Sequence, residues 1–200
     1  MCRSVTLATI SLHKMPGGLE RNIIRLANYL TEQGMEVCVI TFDLPGAEPF
    51  YPLDSKAELH CLGEQAPHGS IGFLERCRMI RKIYQLLNSS DETSTLICFH
   101  HGILFRFIFA AWAARAKLIC SERNALEMYE YISSSKWGVN FCLMALVDKI
   151  TVQFPEYISS YPALMRKKIC VVPNPVEQVL NSPDIGSGRT LVSYGSKVLA

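Results

Sequence analysis

A chain of 200 residues, 49% apolar and 19% charged, is long enough to bury a core without disulfides and too apolar to be disordered. Its net charge of +2 excludes a dedicated nucleic-acid binder, which carries a clear basic excess. Eight cysteines without one CxxC pair argue against thioredoxin-like chemistry and structural zinc.

In chain order, the apolar run at 4–11 predicts a strand. Residues 19–33 predict a helix with Ile23, Leu26, Ala27 and Leu30 on one face and Arg21, Arg25, Asn28 and Glu32 on the other, closed by Gly34. MEVCVITF (35–42) is the next strand, followed by the loop DLPGAEPFYP and a short strand at 58–62. A helix at 71–88 places Phe73, Cys77, Ile80, Tyr84 and Leu87 on one stripe, with Arg76, Arg78, Arg81 and Lys82 off it. A solvated face is the simpler reading of those charges; peripheral contact with anionic lipid headgroups is the other.

Strands then alternate with helices: strand 95–99, helix 103–115, strand 116–121, helix 137–147, strand 148–153, helix 155–166, strand 167–173. Cys38, Cys98, Cys120 and Cys170 lie inside these strands and read as small buried hydrophobes of a reducing, cytoplasmic protein. The N-terminus lacks the apolar core and cleavage site of a signal peptide. The longest apolar region, 103–114, holds Arg106 and falls short of the roughly 20 residues of a spanning helix. Continuous apolar strands separated by helices predict a doubly wound, Rossmann-like parallel α/β domain over 1–173. The Pro- and Gly-rich stretch 174–189 reads as an interdomain linker, and 190–200 as the start of a second, truncated domain.

Three motifs sit where strands end. Gly17 and Gly18 stand between the first strand and helix, a turn that lets backbone N–H groups approach an anion; a tight turn without ligand is the competing reading. They do not form the GxGxxG of dinucleotide enzymes, so Asp43, after the second strand, reads as a loop-capping residue rather than a ribose ligand. His100 and His101 follow a buried strand at the sheet edge where ligands of open α/β folds bind. SERN (121–124) follows the next strand and brings Glu122, Arg123 and Asn124 to that edge, for hydroxyl or anion recognition or for a local ion pair. GxSxG and P-loop patterns are absent, and no metal-ligand spacing is recognisable.

The ordered set PGGLERNIIRLANYLTEQGMEVCVITFD, TLICFHHG, KLICSERN, DKITVQFPEY and KKICVVPNPV resembles the N-terminal domain of glycosyltransferase family 4, the retaining GT-B enzymes. The resemblance implies hexosyl transfer from a nucleotide-sugar donor to an acceptor hydroxyl, on a sugar or a lipid-linked molecule, with no metal or other cofactor. It carries the donor diphosphate onto Gly17 and Gly18, the donor-sugar histidine onto His100 or His101, and a cleft-lining role onto Glu122, Arg123 and Asn124.

Almost all of the donor-binding C-terminal half is missing from the sequence, so the expectation is a chain with little or no activity alone. A truncated transferase is the leading reading, at work in the cytoplasm and peripherally at the inner membrane face. The alternatives are a non-catalytic acceptor- or partner-binding module served by a separate donor-binding subunit, and an unrelated Rossmann-like nucleotide-binding protein. The apolar TLVSYG near the end reads as an unpaired strand and predicts self-association.

Overall fold

A computed structural model describes residues 4–63, 72–88, 94–126 and 138–175. Among them seven strands form one parallel sheet: β1 (Ser4–Ala8), β2 (Glu36–Thr41), β3 (Glu58–Cys61), β4 (Thr95–Phe99), β5 (Lys117–Ser121), β6 (Lys149–Val152) and β7 (Ile169–Val171), in the order β3-β2-β1-β4-β5-β6-β7. β1 lies between β2 and β4, with Val5 opposite both Val37 and Thr95. The chain reverses its direction of travel across the sheet there, which is the switch point of a doubly wound fold.

Alternation along the strands divides the core in two. On one face Val5, Leu7, Val37 and Val39 meet α1 (Gly18–Glu32) through Ile23, Ile24 and Ala27. On the other, Leu96, Cys98, Leu118, Cys120, Ile150 and Val152 meet α2 (Phe73–Leu87) and α3 (Leu104–Ala113). The predicted face of α1 holds: Ile23 and Ala27 are buried and Leu26 and Leu30 half-buried. Gly34 follows the helix at φ +77, a conformation glycine adopts without a Cβ penalty.

Elsewhere the sequence pattern is corrected in detail. The buried stripe of α2 is Met79, Ile83 and Leu87; Ile80 and Tyr84 are half-buried and Cys77 is exposed. The helix expected at 137–147 is a short α4 (Val139–Leu143) followed by a 3-10 turn, Met144–Leu146. The helix expected at 155–166 is a 3-10 turn, Pro155–Ser160, and a separate α5, Ala163–Arg166. Pro162 stands between them, and a residue without an N–H cannot carry the first helix into the second. Cys170 is exposed because β7 is the sheet's edge strand, and Cys38 is half-buried; Cys98 and Cys120 are buried as expected. Beyond residue 175 the linker and the second-domain start lie outside the described residues, as does the self-association segment. No helix among the described residues is long and apolar enough to cross a membrane.

The first strand stops at Ala8, short of the predicted 11, because Asp43 captures the chain that follows. Its carboxylate accepts from Ser11 Oγ, from Leu12 N at 2.9 Å and from His13 N at 3.3 Å. This is the loop-capping role read from the sequence. It fixes the path between β1 and the glycine pair. Asp43→Ala strands three donors and is expected to cost about 1–3 kcal/mol in urea denaturation. A loss within experimental error would remove this role.

Candidate functional site

Parallel strands send all their C-terminal ends to one edge, and the predicted site residues gather there. Gly18, Leu19, Arg21 and Asn22 from the start of α1 face Arg123 and Asn124 after β5, Gln153 after β6, and Asn174 and Pro175 after β7. Together they line an open cavity of about 320 Å³. The loop after β2 flanks it: Tyr51 Oη donates to Pro16 O at 3.1 Å, and Phe50 N to Leu12 O at 3.0 Å.

The two glycines have different reasons. A Cβ on Gly17 would lie 2.1 Å from Glu20 Oε2, so Gly17 leaves room for the chain's own carboxylate. Glu20 is buried in the first turn of α1, where the helix dipole favours a negative group. A Cβ on Gly18 would meet nothing within 4 Å. Gly18 is therefore the glycine that opens onto the cavity.

Arg123 crosses the site. Its Nη1 donates to Asn174 Oδ1, which also accepts from Asn22 Nδ2 at 3.2 Å, and its guanidinium lies 5.5 Å over the Phe99 ring. Burial pushes its pKa down, and its Nε has no hydrogen-bond partner among the described residues. A desolvated guanidinium with an unanswered N–H is suited to an anion. Asn174 was not singled out in the sequence. Only its contacts across 152 residues with Asn22 and 51 with Arg123 reveal it.

At the end of β4 the two histidines separate in role. His101 is fully buried; its backbone N, 2.6 Å away, and its ring Nδ1, 2.9 Å away, both meet Glu122 Oε1. Glu122 is itself 1% exposed, so the structure places its carboxylate beneath the cleft rather than in it. Burial pushes the Glu122 pKa up, but the hydrogen bond and positive charge of His101, then the charge of His100 and the His101 N–H, outweigh it, and the net direction is down. The carboxylate is thus ionised and acceptor-only, and His101 Nδ1 carries the proton between them. His100 is half-buried at the edge, stacked on His101 at 4.5 Å and 19°.

The ligand atoms of His100, His101 and Glu122 lie within 4.8 Å of one another, a spacing that could hold an ion. Here Glu122 Oε1 serves His101 twice and lies 3.5 Å from Cys120 Sγ, while His100 Nδ1 accepts from Gly102 N. These atoms are already engaged as a hydrogen-bond network.

Both titrating groups make acid destabilising. Burial first, then His101, lowers the His100 pKa from its ordinary 6.5, with Glu122 opposing. A folded-state pKa below the unfolded one gives stability that is complete above pH 6.5 and is lost as pH falls below it. Glu122 adds a second loss of the same sign below its ordinary 4.5. Urea midpoints should hold from pH 8 to 7, begin to fall as pH drops below 6.5, and fall again below 4.5. A flat profile from pH 7 to 5 would contradict the His100 part.

Comparison with known proteins gives the family and the fold. The profile of Glycosyltransferase Family 4 matches residues 16–178. No curated protein matches the chain. Among solved structures it is similar to Anabaena Alr3699/HepE in complex with UDP and glucose, with TM-score 0.60 and 15% identity over 88% of this chain and 45% of that one. It is similar to a glycosyltransferase from Rickettsia africae ESF-5, with TM-score 0.59 and 15% identity over 86% of this chain and 43% of that one. Acinetobacter baumannii MurG gives TM-score 0.56 and 12% identity over 87% of this chain and 47% of that one. At these identities the likeness is one of fold, and the chain spans somewhat less than half the length of these proteins. The profile match runs from Pro16, just ahead of the glycine pair, through the histidines and the SERN loop and past Asn174, and spans every residue of the cavity lining. The chain belongs to glycosyltransferase family 4, and its sheet is the Rossmann-like N-terminal half of a GT-B fold.

Proposed function

We propose that this chain is the acceptor-side half of a nucleotide-sugar-dependent, retaining glycosyltransferase, moving a hexosyl group to a hydroxyl of a sugar or lipid-linked acceptor without a metal. The observation that carries this is the convergence of Gly18, Arg123, Asn124 and Asn174 on one cavity, beside the histidine turn at the end of β4. Gly18 admits a diphosphate to the start of α1, and Arg123 supplies charge. The Alr3699/HepE structure contains UDP and glucose, which supports a nucleotide-sugar as the donor class. The exposed Arg78 and Arg81 of α2 fit a cytoplasmic protein that meets an anionic membrane face carrying such an acceptor.

One wall of a cleft binds weakly and catalyses little, because most stabilisation of a leaving diphosphate has to come from groups facing it. The chain is therefore expected to show weak contacts with nucleotide sugars in ligand-observed NMR and negligible transfer. Arg123→Ala should weaken binding of UDP-glucose about ten-fold or more, as for one lost charge-assisted hydrogen bond. Tight binding of NAD or a flavin, with no nucleotide-sugar contact, would overturn the reading. Robust turnover by the isolated chain would overturn its assignment as a half.

A further inference from the structure

The backbone at His100 is in a conformation that L-residues rarely adopt, φ 98 and ψ 128. Such strain persists only where surrounding bonds hold it. Three do so here. His100 N donates to Ser121 O at 3.1 Å, His101 N donates to Glu122 Oε1 at 2.6 Å, and Gly102 N donates to His100 Nδ1 at 2.8 Å. The ring can fold back onto Gly102 only because that residue lacks a side chain: a Cβ there would lie 2.7 Å from His100 Nδ1. A backbone N–H always carries its proton, so the Nδ1 that accepts from it must be bare. The His100 proton is then on Nε2, on the opposite side of the ring.

We propose that Glu122 is a positioning residue: through His101 it clamps the strained turn and so holds His100 as a neutral imidazole with its proton on Nε2, the form in which the turn would meet a substrate. That donor suits an uncharged acceptor atom such as a sugar hydroxyl. The inference rests on the transferase reading only for what the donor meets. The clamp itself is a property of the free chain.

Among the described residues, the titratable groups around His100 are His101, Glu122 and, behind the carboxylate, the Cys120 and Cys98 thiols, both held neutral by burial. Glu122 alone, as a nearby negative charge, raises the His100 pKa. Removing that charge without disturbing the turn therefore lowers the His100 titration point further. Releasing the turn does the opposite, because Nδ1 becomes free to take a proton.

The experiment is ¹⁵N-detected NMR of the histidine rings in the full chain. In the wild type at pH 7.5, His100 should show a bare Nδ1 and a protonated Nε2, and it should titrate below the ordinary imidazole value. Glu122→Gln keeps an acceptor oxygen for His101 and should only lower the titration point, with the tautomer unchanged. In Glu122→Ala, which removes the acceptor oxygen as well as the charge, the titration point should rise toward the ordinary value and the Nδ1–H tautomer should appear. Gly102→Ala, which leaves the carboxylate in place, should produce the same two changes. A wild-type His100 that is charged at pH 7.5, or protonated on Nδ1, overturns the proposal whether or not any variant folds. So does a Glu122→Ala protein whose tautomer is unchanged and whose titration point falls. Stoichiometric Zn²⁺ uptake that Glu122→Gln abolishes would also overturn it, by making the cluster a metal site. Because no readout uses a nucleotide sugar, failure of the transferase reading leaves this test intact.

Discussion

Glu122→Ala is expected to remove about 3–5 kcal/mol of unfolding free energy, the range for breaking a buried charged pair by deleting one partner. The carboxylate is fully enclosed and answers His101 N at 2.6 Å and His101 Nδ1 at 2.9 Å. Alanine leaves a buried N–H and a buried ring N–H facing a void. Against a typical domain stability of about 5–15 kcal/mol, that is about a fifth of the whole or more. The double variant Glu122→Ala/His101→Ala removes the stranded ring as well, so it should cost less than the sum of the two single changes. Urea unfolding of the three variants measures this cycle. A single-variant loss below about 1 kcal/mol would mean the pair is not a structural centre.

A comparable effect is expected at Phe107, for an unrelated reason. Phe107 is fully buried between the sheet and the outer helices, and its ring meets Phe42 edge-on at 5.9 Å. The Arg106 guanidinium lies 4.9 Å over the other partner, Phe42. Phe107→Ala deletes a ring from a site surrounded by rigid neighbours, and such changes cost about 3–5 kcal/mol. Phe107→Leu should recover more than half, since most of the volume returns and only the edge-to-face contact is lost. Equal losses for the two variants would show that the aromatic contact, rather than the cavity, carries the effect.

The sheet was legible because buried parallel strands are written as unbroken apolar runs: TLICF and KLICS each appear where the pattern places them. The short helices were not. Periodicity sees the apolar stripe of 155–166 but not that Pro162 divides it into two unconnected turns. Site residues were legible at the resolution of a strand end. The motif FHHG marked both histidines, but which one is enclosed depends on Glu122, 21 residues away, and nothing local encodes that pairing. Glu122 itself looked like a cleft residue because its neighbours Arg123 and Asn124 are. In fact the chain leaving β5 turns successive side chains to different sides, and Glu122 N is drawn to Thr151 O at 2.8 Å while its carboxylate points inward. Asn174 gave no signal because its meaning lies in contacts with residues 22 and 123.

The place of β1 has a consequence for the birth of the protein. β1 leaves the ribosome before the other six strands, yet it lies inside the sheet, with Val5 paired to Val37 on one side and to Thr95 on the other. The β1–β2 pairing can form once Thr41 is out, whereas the β1–β4 edge waits for Phe99. At roughly 5–20 residues per second, that interval lasts several seconds. Throughout it, the apolar edge of SVTLA presents unpaired N–H and C=O groups to any other nascent strand. Expression yield should therefore depend on how fast α2 and β4 are translated, and on chaperones that shield the N-terminal third while they are made.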